Sequence, residues 1–153
     1  MIARLVGSEM CIRDSLSLNQ IDDIVETALK MDIDAIVATN TTLDRKGVKS
    51  RIKNEKGGLS GKPLFSKSTW VLAHLSERLD NKIPLIGVGG VSTATDAYQK
   101  ILAGASAVQL YTGLVYHGLS LISEINKGLS AILSRERINH LTDIVGKERR
   151  TFL

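Results

Sequence analysis

Several kinds of residue are scarce in this sequence of 153 residues, and each scarcity excludes a class of protein. A single cysteine, Cys11, excludes an internal disulfide and a zinc site built from several cysteines. No apolar run reaches the length of about 18 residues that a transmembrane helix needs. Aromatic residues make up only 4% and the net charge of +4 is spread along the chain, so neither feature indicates nucleic-acid binding. The three histidines have no metal-ligand spacing, and we predict no metal site.

Residues 1–15 differ in character from the rest of the chain. Their apolar residues follow neither a strand period nor a helix period, and they lack the apolar core of a secretory signal. The string EMCIRDS resembles translated sequencing-adapter sequence. We therefore interpret residues 1–15 as a non-native leader; the alternative is a native, poorly ordered N-terminus. On either interpretation we assign no chemistry to Cys11.

From Leu16 onward, helical patterns alternate with short apolar strands. Asn19 is a candidate N-cap for a helix over about 19–31, since apolar residues then recur at spacings of three and four. Further helices are predicted over 66–79, from Ala94 to Gly104, over 122–132 and near 137–145, and strands over 34–39, 84–88 and 107–111. Strands without polar alternation are typical of buried parallel sheets, so the alternation predicts an α/β fold. A complete (β/α)₈ barrel needs about 250 residues, so three βα units indicate part of something larger.

Each predicted strand ends where a parallel α/β fold binds ligands. Thr39, Asn40 and Thr41 could hydrogen-bond a planar polar ligand or simply form a turn. The glycine-rich stretches 57–61 and 87–92 permit close backbone approach to a ligand, although the first could equally be a flexible surface loop. The second leads into a helix start that can bind an anion. Turns of this kind after the last two strands match the phosphate site of TIM barrels. A dinucleotide fingerprint is disfavoured, because Ser92 stands at its third glycine.

The basic side chains of the long polar stretch leave two interpretations open. Lys53, Lys56 and Lys62 could form a basic approach to an anionic ligand, or a solvated loop face. His74, His117 and His140 are interpreted as structural or solvated.

Four segments occur in an order and spacing that resemble the C-terminal part of dihydroorotate dehydrogenases: ATNTT, GGLSGKP, IPLIGVGGV and AGASAVQLYTG. The resemblance covers about residues 18–133 and is closest to the quinone-linked class. It implies a partial TIM (β/α)₈ barrel, the last three βα units, over residues 16–134, followed by a polar tail over 135–153. It further implies FMN as the cofactor and the oxidation of dihydroorotate to orotate, with quinone as acceptor, in pyrimidine (UMP) biosynthesis. The whole enzyme would be peripheral to the bacterial cytoplasmic or mitochondrial inner membrane.

The resemblance also implies roles for single residues. Asn40 and Thr41 match substrate-binding positions, and the cofactor positions are Thr39, Gly61, Gly90, Tyr111 and Thr112. Leu119 stands where the family usually has proline. The serine base, a lysine near the flavin and an N-terminal helical pair precede this region in the family and have no counterpart here. We therefore expect a C-terminal fragment that is inactive or impaired alone. The alternatives are a non-catalytic half-barrel module that binds flavin or phosphate, and an FMN barrel with another substrate.

Overall fold

The computed structural model describes residues 9–12, 16–46, 48–49 and 56–153. Within these residues, four short strands form one sheet in the order of the chain, β1-β2-β3-β4, and every neighbouring pair is parallel. The strands are β1 (Glu9–Ile12), β2 (Ala35–Ala38), β3 (Leu85–Val88) and β4 (Ala105–Gln109). The predicted α/β class is confirmed. Because all four strands run in the same direction, their carboxyl ends lie at the same edge of the sheet.

Strand β1 lies inside residues 1–15, where the sequence predicts no strand, and the structure corrects this at Glu9–Ile12. The backbone pairs with β2 from Glu9 opposite Ala35 to Ile12 opposite Ala38. Strand pairing uses main-chain N–H and C=O groups, so it does not require an alternating side-chain pattern. The described sheet therefore has four strands, not three. The interpretation of residues 1–15 as a non-native leader stays a prediction.

Five α-helices connect and follow the described strands. They are α1 (Leu18–Lys30), α2 (Phe65–Leu79), α3 (Ala94–Ala103), α4 (Thr112–His117) and α5 (Ser120–Arg135). The predicted cap of α1 at Asn19 was wrong. Ser17 is the N-cap: its Oγ accepts a hydrogen bond from the N–H of Gln20, whose side chain accepts one from the N–H of Ser17. This reciprocal capping box fixes the start of the helix two residues earlier than Asn19 would.

Strand β4 begins two residues before the predicted strand over 107–111. Gly104 ends α3, as predicted, at a φ of +126°, and the chain enters the sheet at the next residue. A Cβ on Gly104 would lie 2.1 Å from Ser76 Oγ, so only glycine fits this tight exit from the helix. The short path between α3 and β4 follows from that fit.

The end of the chain packs against the fold instead of forming the predicted helix near 137–145. It contains two short 3₁₀ helices, Leu141–Ile144 and Arg149–Phe152. The N–H of Gly146 donates to the carbonyl of Ile101 at 2.9 Å, and Arg149 Nη1 donates to the carbonyl of Ser76 at 2.8 Å. These bonds tie the chain end to the C-terminal ends of α2 and α3.

The main core lies between the sheet and helices α1 and α2. Its fully buried side chains include Ile21, Ile36, Leu72, Leu75 and Leu79. A second cluster, Val91, Ala97, Leu121 and Ile125, joins α3 to α5. These two clusters hold the helices against the sheet, so the carboxyl ends of β2, β3 and β4 have fixed relative positions.

Candidate functional site

One cavity of about 860 Å³ lies at the carboxyl ends of β2, β3 and β4. It is lined by the chain that follows each of these strands and by the turn that leads into α2. All the residues predicted to bind substrate or cofactor line it: Thr39, Asn40, Thr41, Gly61, Gly90, Tyr111 and Thr112. The volume is that of an ordinary small-molecule site. Residues spread over 74 positions of sequence thus meet at one place because parallel strands end at one edge.

The residues after β2 present both hydrogen-bond donors and acceptors. Thr39 is buried, and its N–H donates to the carbonyl of Val88 at 3.2 Å, which joins the ends of β2 and β3. Asn40 Oδ1 accepts from the N–H of Thr41 at 2.7 Å. This bond fixes the amide and leaves its NH₂ group to donate outward, while Asn40 and Thr41 are both exposed. The pair can therefore recognise a flat polar ring through its edge.

A backbone bridge returns the chain to the cavity after the polar stretch. Thr42 and Leu59 pair in antiparallel fashion, with N–H to carbonyl distances of 3.0 and 2.7 Å. Ser60 and Gly61 follow directly, and Thr112 Oγ1 donates to Ser60 Oγ at 2.9 Å. The sequence shows this stretch only as polar and glycine-rich, and nothing in its pattern predicts the bridge.

An ion pair fastens the same stretch to helix α2. Lys67 Nζ contacts the Asp44 carboxylate, and that hydrogen bond is the main reason why the pKa of Asp44 lies below its ordinary value. Of the lysines predicted as a basic approach, Lys62 lines the cavity and Lys56 is exposed. Lys53 lies outside the described residues.

Two glycines let main chain form the wall of the cavity. Gly90 has a φ of +78°, and a Cβ there would lie 2.6 Å from the Phe65 Cα. Gly61 has a φ of +79°, and its Cβ would lie 3.1 Å from Thr112 Cγ2. Within the described part of the chain, the N–H of Gly90 has no hydrogen-bond partner. Exposed main-chain N–H groups in such turns are suited to an anion.

Helix α4 was not predicted, although its residues contribute much of the far wall. This six-residue helix lines the cavity with Thr112, Gly113, Tyr116 and His117. The N–H groups of Thr112 and Gly113 have no partner within the helix, whereas that of Leu114 donates to the carbonyl of Tyr111. His117 is its last residue, not part of a turn as predicted. Flanking glycines in TGLVYHG mark a short segment, but its apolar residues are too few to show a helical period.

The other histidines lie away from the cavity lining. His74 packs edge-on against Trp70, with ring centroids 4.2 Å apart, and burial lowers its pKa. His140 is exposed. Among the residues that the structure describes, no group of three or more histidine, cysteine or acidic side chains is placed to hold a metal. No helix in that part of the chain is both long and apolar enough to cross a membrane.

Comparison with known proteins gives consistent matches in sequence. The family model for dihydroorotate dehydrogenase matches residues 13–133. A dihydroorotate dehydrogenase (quinone) of Cereibacter sphaeroides is 50% identical over 151 residues, which are 99% of this chain and 43% of that relative. One of Christiangramia forsetii is 52% identical over 116 residues, 76% of this chain and 34% of that relative. The chain thus spans less than half the length of the curated relatives that it matches, and the resemblance carried by the four segments is confirmed.

Solved structures match in fold as well. The ligand-free dihydroorotate dehydrogenase of Eimeria tenella has a TM-score of 0.88 and 34% identity, and the match covers 92% of this chain and 39% of that one. The same enzyme in complex with ferulenol also gives 0.88 and 34%, with 93% and 38% covered. The predicted partial (β/α)₈ barrel is therefore confirmed.

Proposed function

The chain belongs to the dihydroorotate dehydrogenase family, and on that premise we propose that it forms the FMN- and substrate-facing part of an enzyme that oxidises dihydroorotate to orotate. Quinone is the proposed electron acceptor and pyrimidine (UMP) biosynthesis the proposed role. The observation that carries the proposal is the meeting of all seven predicted ligand-binding residues in one cavity at the strand ends. Since the chain covers 43% of the C. sphaeroides relative, the complete reaction is proposed for the whole enzyme.

The glycine-lined wall fits the phosphate of FMN. Gly90 follows β3 and Thr112 follows β4, and phosphate sites of TIM barrels are formed by the loops after the last two strands together with a short extra helix. A side chain at Gly90 or Gly61 would crowd the neighbouring atoms, so these two positions present only main chain to a ligand. We assign Gly61, Gly90, Tyr111 and Thr112 to the cofactor. Phosphate would accept from main-chain N–H groups and from the Thr112 hydroxyl, whose single proton would then leave Ser60 Oγ for the phosphate.

The residues after β2 fit a flat pyrimidine. Orotate carries imide donors and acceptors on one edge, which suit the amide of Asn40 and the hydroxyl of Thr41. Thr39 lies between this pair and the end of β3, and we assign it to the flavin side of the site. Bound FMN would supply the acceptor for the hydride of dihydroorotate. The residues described here orient the two rings, and we assign none of them as the general base.

Titration of the purified chain with FMN tests the cofactor assignment. We expect one-to-one binding with quenched flavin fluorescence, weakened by Thr112→Val, which removes the hydroxyl but keeps the shape. Thr95→Val is the control, because Thr95 is exposed on α3 and does not line the cavity. Equal affinities for all three proteins would contradict the role of Thr112. Absence of FMN binding by the unmodified chain would contradict the cofactor assignment itself.

Orotate added to the FMN complex tests the substrate assignment separately. We expect orotate to perturb the flavin absorbance of the unmodified chain, and Asn40→Ala to weaken this effect at least tenfold, since one ligand-facing hydrogen-bonding group is lost. A bound FMN that never responds to orotate would favour the alternative of a flavin-binding module or a barrel with another substrate.

The proposed setting is the membrane surface, where a quinone is available. The relatives are named as quinone-linked enzymes, and a lipid-soluble acceptor of that kind supports peripheral association of the whole enzyme with a membrane. Turnover of dihydroorotate with a soluble quinone analogue by the whole enzyme, compared with turnover with NAD, tests the acceptor. Faster reduction of NAD would contradict the proposal.

A further inference from the structure

Lys100 is completely buried, although no role has been assigned to it so far. It lies on α3 with none of its surface exposed. Its Nζ is 2.6 Å from Ser68 Oγ on α2 and 5.1 Å from the centre of the Phe65 ring. Fully buried lysines are rare, because removing an ammonium group from water is unfavourable. Burial indeed lowers the pKa of Lys100 to about 7, while the nearby Asp96 acts in the opposite direction.

Ser68 connects Lys100 to the main chain of the cavity wall. Ser68 Oγ lies 3.1 Å from the carbonyl oxygen of Gly89 and 3.0 Å from that of Phe65, and its single proton can be donated to either. Gly89 immediately precedes Gly90, and a Cβ on Gly89 would lie 2.9 Å from Ser68 Oγ. The ammonium group is therefore one hydroxyl away from the segment Gly89–Ser92, which lines the cavity.

Asp96 lies four residues before Lys100 on α3 and holds the Ser92 end of the segment Gly89–Ser92. Its carboxylate accepts from the N–H of Ser92 at 3.0 Å and from Ser92 Oγ at 3.1 Å. Helices α2 and α3 thus fix the two ends of the segment Gly89–Ser92, α2 through Ser68 and α3 through Asp96. The Asp96 carboxylate alone would repel an anion bound at this segment, and an ammonium group behind Gly89 offsets that repulsion.

We propose that Lys100, acting through Ser68, is a positioning residue that holds the segment Gly89–Ser92 and supplies positive charge for the binding of a phosphate monoester there. This inference rests on the proposed function, because the monoester is the phosphate of FMN. In this proposal the phosphate does not touch Lys100. Lys100 contributes to phosphate binding through the electric field of its buried charge and by keeping the Gly90 main chain in a fixed orientation.

Comparison of FMN with riboflavin isolates this role, since the two ligands differ only in the phosphate. At pH 6, below the pKa of about 7, Lys100 is charged. There we expect Lys100→Met to weaken FMN binding roughly tenfold, as for a unit charge several ångströms from the ligand in a partly polar medium. Riboflavin affinity should stay within about twofold. A merely structural defect would weaken both ligands together. Lys127→Met is the matched control, because it removes one exposed lysine from α5 and should change neither affinity.

If circular dichroism shows that Lys100→Met is unfolded, variants of Ser68 test the same proposal. Ser68→Ala keeps the charge and removes the connecting hydroxyl, and it should lower the preference for FMN over riboflavin about threefold, while Ser68→Thr should restore it. If the unmodified chain binds FMN but these variants keep its FMN-to-riboflavin ratio, this inference is wrong and the proposed function stands. If the unmodified chain binds neither FMN nor inorganic phosphate, both are wrong.

Discussion

At the scale of single residues, burial of a charge and positive backbone dihedrals impose the strictest demands on the sequence. Lys100 is removed from water, and Gly90 adopts a conformation that few other residues tolerate. The two are close in space, because Ser68 contacts both Lys100 and the carbonyl of Gly89, the residue before Gly90. Both demands fall beside the candidate phosphate site. Each predicts a change of stability that can be measured without any ligand.

The folded chain should become more stable as the pH rises from about 7 toward 10, through Lys100. In the unfolded chain this lysine keeps its proton up to its ordinary pKa of 10.5, whereas in the folded chain the pKa is about 7. Between these values the unfolded state binds more protons, so the free energy of unfolding rises by up to about 1.4 kcal/mol per pH unit. Urea denaturation at pH 7, 8 and 9 should show this slope, and Lys100→Met should lose it. An unchanged slope in Lys100→Met, with Lys127→Met as reference, would contradict the burial of the amine.

Alanine at Gly90 should be more destabilising than alanine at Gly118. The two glycines have φ values of +78° and +72°, but the Cβ at Gly118 would meet nothing within 4 Å. Gly118→Ala therefore carries only the backbone strain, about 2 kcal/mol for a φ of +72° with a ψ of −175°, a region used almost only by glycine. Gly90→Ala adds a collision with the backbone of Phe65, and we expect a loss of about 3 kcal/mol or more. Chemical denaturation of both variants measures the difference, and equal losses would show that Phe65 moves aside freely.

At the scale of elements, the extent to which sequence predicts structure follows the physical signal that each element carries. The helices α1, α2, α3 and α5 are amphipathic over ten or more residues, and their predicted positions are close to the observed ones. The six residues of α4 are too few for a period, and no pattern of side chains reports the backbone pairing of β1. The burial of Lys100 was missed, because the spacing of apolar residues in α3 does not show that a lysine faces the protein interior.

The candidate site was predictable to the same degree. Motif residues after the strands carry their own signal, so Asn40 and Gly90 could be singled out from sequence. Their supports could not: the bridge of Thr42 with Leu59 and the hydroxyl of Ser68 depend on partners many positions away. Spatial contacts between distant segments have no local pattern to read.

Helix α1 should depend on Ser17 and not on Asn19 for its start. Ser17→Ala removes the side-chain acceptor for the N–H of Gln20 and should lower the free energy of unfolding by about 1 kcal/mol. Asn19→Ala, at an exposed position inside the helix, should have little effect or be slightly stabilising. Denaturant midpoints of the two variants decide between these caps, and a larger loss for Asn19→Ala would reverse the assignment.

At the scale of the whole molecule, apolar surface remains uncovered beside a free strand edge. Within the described residues β4 pairs only with β3, and the segment after it exposes Tyr111, Val115, Tyr116 and Leu119. Free edges and contiguous apolar surface both favour association. The chain as it stands is therefore expected to bind to copies of itself.

Self-association should be concentration-dependent and weakened by charge at the exposed segment. We expect light scattering after gel filtration to show species larger than a monomer at micromolar concentrations, and Val115→Glu with Leu119→Glu to shift them toward the monomer. Met31→Glu, at an exposed position near the end of α1, is the control and should leave the distribution unchanged. A monomer at every concentration would show that this surface does not drive association.

The chain between Thr42 and Leu59 should tolerate sequence changes that the chain directly after their bridge does not. Its paired hydrogen bonds fix the point at which the chain re-enters the cavity wall, whatever the length of chain between them. Insertions, deletions and substitutions should therefore be tolerated between Asp44 and Gly58, which have contacts of their own, while Ser60 and Gly61 keep their positions. Variation among related proteins should accordingly accumulate inside this closed loop, and a peptide tag inserted there should leave ligand affinity unchanged.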